Sequence, residues 1–245
     1  RLGQLAKLPE VQIFRESRLA LADILAVQAD HVAIATGATW RRDGYGIDST
    51  CLMDPLPPAE QTFTPDDIMA GKMPDGPTIV YDDDRFYLAG LIAEKLRMTG
   101  VDVTYITPAP RVSNWSINTT EQFRIHQRLA ELGVHIILNH GVEGFDGSQA
   151  IISCVYTEKE QAIVADNLVL VTCRQPEDNL FNEVQSAIEQ KLKGAPLTVK
   201  RIGDADAPAI IAAAVYSGHK YARELDVEVD RDNPIKYDRV FFNDE

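Results

Sequence analysis

The sequence predicts an α/β protein in which a parallel-sheet domain with a β-meander, over residues 73–177, is inserted in a partial domain of the same class contributed by residues 1–72 and 178–245. Three observations predict it. Residues 77–107, PTIVYDDDRFYLAGLIAEKLRMTGVDVTYIT, read as strand, helix, strand. Two short β runs, 150–157 and 161–165, flank Glu158-Lys159-Glu160 as an antiparallel hairpin ahead of a further apolar strand at 167–172. Outside this block, Ala-Thr-Gly at 35–37 and IGDADAP at 202–208 each end an apolar strand in small residues.

In chain order, residues 1–8 are too short for an element of a self-sufficient domain, and VQIFR at 11–15 alternates like a strand. A buried strand at 32–35 ends in Thr36-Gly37, which reads either as a tight strand-end turn or as a place where backbone passes close to a ligand. Residues 40–76 are rich in Pro and Asp and read as a connection between domains, with one helix start where Thr64 caps and Pro65 fits the first turn.

The β-α-β unit opens a Rossmann-like, NAD(P)-type domain, with Leu88, Leu91, Ile92 and Leu96 expected inward and Glu94, Lys95 and Arg97 outward. Its first turn carries Asp82, Asp83 and Asp84 in place of the G-x-G-x-x-G that lets backbone approach a pyrophosphate. A loop with two prolines leads to a helix at 119–132, closed by Gly133, and to a strand at 134–139. Residues 177–193 form an amphipathic helix with Leu180, Val184, Ile188 and Leu192 on one face. After a strand from Leu197 comes the Gly203-Asp204 turn, then an Ala-rich helix entered through Ala207-Pro208 and running to about residue 225. The acidic tail ends in an apolar Val240-Phe241-Phe242 that is expected to pack on a neighbour.

The 245 residues carry 45% hydrophobic content and a formal charge of −13, enough for real cores and contrary to nucleic acid or anionic membrane as partners. Cys51, Cys154 and Cys173 form an odd set with no C-x-x-C pair, the pattern of reduced thiols in a cytoplasmic protein. No metal site is expected. Consecutive carboxylates at a strand end point in different directions, so Asp82–Asp84 read as caps on the following helix N-terminus rather than as ligands to a cation. His126 and His219 lie on helices as surface or packing residues. Trp115 is an interface anchor or, in the favoured reading, core packing. Arg111 stands where a 2′-phosphate would be read, yet no glycine turn faces it.

The Thr36-Gly37 and Gly203-Asp204 turns, with the β-α-β unit between them, resemble flavoproteins built from two dinucleotide-type domains. More closely, YDDDRFYLAGLIAEKL, TPAPRVSNWSINTTEQFRIHQRLAELGV and CVYTEKE resemble the C-terminal half of the trimethylamine dehydrogenase family, with its dimethylamine and histamine dehydrogenases and N-methyl amino-acid demethylases. The resemblance implies a parent chain with an N-terminal TIM barrel carrying FMN and a [4Fe-4S] cluster, absent from this sequence. It also implies electron transfer to an electron-transferring flavoprotein, possible homodimerisation, and ADP or FAD in the first nucleotide domain. The residues it carries over as cofactor contacts are Thr36, Gly37, Gly203 and Asp204, with Ala207 and Pro208 at the helix entrance; no catalytic residue is carried over. The loss of the glycines at Asp82–Asp84 then marks a domain that no longer takes NAD(P)H. Two alternatives stand beside this reading: an NAD(P)H-dependent flavin oxidoreductase of the dienoyl-CoA reductase type, which requires a working pyrophosphate turn, and a noncatalytic module that docks an electron carrier.

Overall fold

The structure is a computed structural model that describes residues 2–5 and 7–225. Its chain divides into two compact units, one made of Arg1–Gly37 with Pro176–Glu245 and the other of Ala38–Gln175. The elements begin with helices α1 (Leu2–Leu5) and α2 (Leu21–Val27), strands β1 (His31–Ile34), β2 (Ala38–Trp40) and β3 (Thr62–Phe63), and helix α3 (Pro65–Met69). The β-α-β unit follows as β4 (Thr78–Asp82), α4 (Leu88–Met98) and β5 (Val103–Thr107), then α5 (Gln122–Glu131) and β6 (His135–Leu138). The meander is β7 (His140–Phe145), β8 (Gln149–Cys154) and β9 (Glu160–Val164), succeeded by β10 (Asn167–Val171) and β11 (Arg174–Pro176). Helix α6 (Asn179–Glu189), strand β12 (Thr198–Arg201) and helix α7 (Ile211–Glu224) complete the chain.

In the unit Ala38–Gln175 the order β3-β10-β4-β5-β6 makes a five-stranded parallel sheet. Strand β4 is buried along its whole length, because successive side chains face opposite layers. Val80 packs on the helical side with Ile92, Leu96 and Leu129, whereas Ile79 and Tyr81 pack with Val142, Phe145 and Ile152 of the meander. On α4 the buried positions are Ala89, Ile92, Ala93 and Leu96, at i, i+3, i+4 and i+7. Leu91, expected inward, is 49% exposed. The small alanines and Gly90 let the helix lie close against its neighbours; a Cβ on Gly90 would come within 2.7 Å of Ile125 Cγ2.

Residues 40–76 are not a mere connection. β3 pairs with β10, Ile68 of α3 is fully buried, and Met53 joins the core on the meander side. The Thr64 cap is present as a capping box with Asp67, which also pairs with Arg42 and Lys72. Composition hid this, since a few buried apolar residues are scattered among prolines and carboxylates.

In the other unit, β1 pairs in parallel with β12, from His31↔Thr198 to Ile34↔Arg201. Its core is Ile24, Ile34 and Val184, with Leu180, Phe181, Ile188 and Val199 packed against them; Leu192 stays exposed. The VQIFR run is exposed and pairs with no described strand, so alternation without a neighbour to bond yields no strand. Val240-Phe241-Phe242 lie outside the described residues. Among the described residues no helix is long and apolar enough to cross a membrane.

Candidate functional site

Two glycine turns meet at the carboxyl ends of β1 and β12. The ladder extends one bond beyond the strands, Ile202 N–H donating to the Ile34 carbonyl at 2.9 Å, after which both chains turn. Gly37 has φ +85° and Gly203 φ +60°, left-handed backbone that favours glycine. Thr36 Oγ1 donates to the Glu177 carbonyl, and Glu177 N–H returns a bond to the Gly37 carbonyl at 2.9 Å. Gly203 N–H donates to Ser217 Oγ at 3.0 Å, and a Cβ there would sit 3.6 Å from Ala214 Cβ, an ordinary contact, so it is the left-handed backbone that calls for glycine. Space around Gly37 is open: a Cβ would meet nothing within 4 Å. Asp204 accepts the Ala209 N–H at 3.2 Å, shaping the loop through exposed Ala207 and half-buried Pro208 into α7.

Beside β1 lies a cleft of about 660 Å³, lined by Thr36 and Ala35, by Glu177 and Asn179, and by Arg18 as a cation. That volume falls in the range of small-molecule and cofactor clefts. Crevices outside the carboxyl ends of parallel strands are where open α/β sheets take their ligands. Of the expected contacts only Thr36 lines this cleft; Gly37, Gly203, Asp204, Ala207 and Pro208 are not among its lining residues, and Glu177 and Glu183 set two carboxylates beside the Arg18 guanidinium.

The corresponding place in the unit Ala38–Gln175 is filled. Asp82 and Asp83 are completely buried. Asp82 accepts the Tyr105 hydroxyl and the Arg85 N–H at 2.8 Å; burial pushes its carboxyl up to about 7 against the Tyr105 hydrogen bond. Asp84 is raised to about 6, again by burial, with Arg174 opposing. Asp83, also raised by burial, accepts N–H groups from Asp48 at 3.0 Å and Ser49 at 3.3 Å, while Arg85 pairs with both Asp48 and Asp83. The segment carrying Asp48 thus forms a strap seated on the turn, and a Cβ on Gly46 would collide with the Asp83 carboxylate.

This corrects the expectation that Asp82–Asp84 cap the helix. The residue preceding α4 is Tyr87, with no side-chain cap, and the carboxylates bond to the turn, to Tyr105 and to the strap instead. A diphosphate does not fit there, because it would meet three clustered carboxyl groups and a strap already hydrogen-bonded in its place. Sequence reasoning missed the strap. Its one local signal was Arg85 directly after three aspartates. Trp115 is 37% exposed and its ring centroid lies 4.5 Å from that of Phe86, supporting the same turn. Among the described residues no group of three or more His, Cys, Asp or Glu could hold a metal ion.

A parallel strand pair that ends in two glycine turns, together with a five-stranded parallel sheet, has the architecture of the dinucleotide-binding α/β proteins. The chain belongs to the pyridine nucleotide-disulphide oxidoreductase family, whose model matches residues 87–213. It is 28% identical to dimethylamine dehydrogenase of Hyphomicrobium sp. (strain x), over 95% of this chain and 34% of that one. Histamine dehydrogenase from Rhizobium sp. 4-9 matches 99% of this chain with 38% of its own, at 40% identity and a TM-score of 0.90. The 6-hydroxypseudooxynicotine amine oxidase of Pseudomonas geniculata N1 matches 89% of this chain with 32% of its own, at 34% identity and a TM-score of 0.81. The resemblance read from the sequence is borne out, and the chain spans about a third of the length of these relatives.

Proposed function

We propose that this chain is the nucleotide-holding part of a flavoprotein oxidoreductase that oxidises amines, and that its two units carry unequal shares of the cofactor work. The observation that carries this reading is the pairing of the Thr36-Gly37 and Gly203-Asp204 turns at the ends of β1 and β12, set against the strap-filled turn at Asp82–Asp84. The unit formed by Arg1–Gly37 and Pro176–Glu245 acts as the FAD/ADP-type domain. There Thr36, Gly37, Gly203 and Asp204 would hold ADP or the ADP portion of FAD, with Ala207 and Pro208 at the entrance to α7. Backbone at the glycines gives clearance, and the Asp204 carboxylate accepts from ribose or ribityl hydroxyls. Bound FAD would supply two-electron chemistry, whereas ADP would be a structural ligand.

The relatives' greater length supports a parent chain in which an N-terminal TIM barrel holds FMN and a [4Fe-4S] cluster and binds the amine. Electrons would leave to an electron-transferring flavoprotein, and the parent would act in the cytoplasm, possible homodimerisation included. Calorimetric titration with ADP, NADH and NADPH at matched salt tests the proposal. Binding of ADP, weakened by Asp204→Ala, is the expected result. Tight binding of NADH or NADPH would overturn it, because the turn at Asp82–Asp84 would then be a working cofactor site.

A further inference from the structure

Within the unit Ala38–Gln175, a cavity of about 280 Å³ is lined by two of the three cysteines, Cys51 and Cys154, and by Tyr81. Cys51 lies on the strap, exposed, between two anchors: the Asp48 and Ser49 bonds to Asp83, and an Asp54 N–H bond to the Glu143 carbonyl at 2.9 Å. Cys154 ends β8 and is half-buried. Tyr81 is completely buried, and its hydroxyl makes no full hydrogen bond among the described residues, although the Val142 backbone faces it. A buried hydroxyl without a full hydrogen bond beside a cavity is a donor held ready for an oxygen that enters it. The third thiol, Cys173, is occupied: its Sγ donates to the Tyr45 carbonyl at 3.1 Å.

We propose that Cys154 is a modification site for small neutral hydroperoxides and that Cys51 is its resolving thiol, the product being a Cys51–Cys154 disulfide. The Cys154 thiolate attacks one peroxide oxygen and the O–O bond breaks. The sulfur is oxidised to a sulfenic acid, and the leaving hydroxide, or alkoxide from an organic hydroperoxide, takes a proton to become water or an alcohol. Cys51 sulfur then attacks Cys154 sulfur, the S–O bond breaks, and water leaves. Asp48, Glu143 and Glu158 also line the cavity, and their negative charge selects an uncharged peroxide over an anionic disulfide such as oxidised glutathione. Hydrogen bonds from the Thr157 hydroxyl and from the Tyr156 and Thr157 N–H groups pull the Cys154 thiol below the ordinary thiol range, with Lys159 assisting. Burial pushes Cys173 the other way.

The test is peptide mass spectrometry of the full chain after brief treatment with hydrogen peroxide, digested without reductant. A Cys51–Cys154 link that dithiothreitol reverses is the expected product. With Cys51→Ser, Cys154 should accumulate as a sulfenic acid that dimedone traps; with Cys154→Ser, neither product should form. Iodoacetamide should alkylate Cys154 at least about tenfold faster than Cys173 at neutral pH, as thiolate fraction and access dictate. Equal alkylation rates would overturn the proposal. So would oxidation of Cys173 ahead of Cys154, a link between two copies of the chain, or failure of dimedone to label the Cys51→Ser variant.

Discussion

The carboxylate of Asp83, with no exposed surface, accepts the backbone N–H of Asp48 at 3.0 Å. This bond joins two segments far apart in sequence, and with the Ser49 N–H and Arg85 it holds the strap on the turn after β4. Asp83→Ala should therefore destabilise the unit by about 1–3 kcal/mol, the cost of leaving two part-buried strap amides without their acceptor while Arg85 keeps Asp48. Urea unfolding followed by tryptophan fluorescence measures it, since the Trp115 backbone N–H is bonded to the Arg85 carbonyl and its ring packs on Phe86. Asp83→Asn, which keeps an acceptor oxygen, should lose clearly less.

Gly90→Ala sets two effects against each other. Alanine gains about 1 kcal/mol of helix propensity over glycine. Its Cβ, however, would stand 2.7 Å from Ile125 Cγ2 and 3.2 Å from Ser113 Oγ, and overpacking of that kind costs about 1–3 kcal/mol. Net destabilisation is expected in the urea midpoint, and Gly90→Ala should cost less in an Ile125→Ala background, where the Cγ2 methyl at the contact is gone.

The raised carboxyls of the turn predict a pH dependence. Asp82, at about 7, and Asp84, at about 6, bind protons more tightly folded than unfolded. Their contribution to stability is full below the ordinary carboxylate range near pH 4 and is lost as pH rises through 6 and 7, at about 1.4 kcal/mol per unit of pKa difference. Arg85, Tyr105 and Arg174 face these groups and limit the loss. Carboxylates held low, Asp43 by Arg41 and Asp146 by the Ser148 N–H, act with opposite sign at more acidic pH. Unfolding midpoints measured from about pH 5 to 8 should fall with pH in the native sequence. In Asp82→Asn that slope should flatten.

At the proposed nucleotide turn, Asp204→Ala should weaken ADP binding about tenfold, a loss of about 1.4 kcal/mol. Gly37→Ala tests the turn differently. Its Cβ meets nothing within 4 Å, so the variant carries only the strain of φ +85°, about 1–2 kcal/mol, and should lower the melting temperature slightly. Calorimetry and thermal unfolding of both variants separate the two losses.

Local patterns made much of this legible. The apolar β-rich run of Thr78 to Tyr81, the cap at Thr64 with Pro65 after it, and the glycine turns after β1 and β12 are each written within a few residues, and they appear where the sequence places them. Helix facing was read less well. Leu91 outranks Ala89 and Ala93 in hydrophobicity, yet the closeness of α4 to the sheet favours the small residues inward. The strap was invisible because Asp48 and Asp83 interact through backbone amides of one segment and a side chain of another, and a backbone donor leaves no mark in residue identity.

Hydrogen-bond polarity at the turn after β4 is the reverse of that in a phosphate-binding turn. A dinucleotide turn offers amides to an anion carried by its ligand; here the turn carries the anion and the strap offers the amides. Placing glycines at Asp82–Asp84 alone would leave the Asp48 and Ser49 amides without their acceptor and Arg85 with only Asp48, so the change lowers stability before any anion can repay it. Two distant segments would have to change together. The strap thus ties the shape of one segment to the charge of another, so that neither is free to vary by itself.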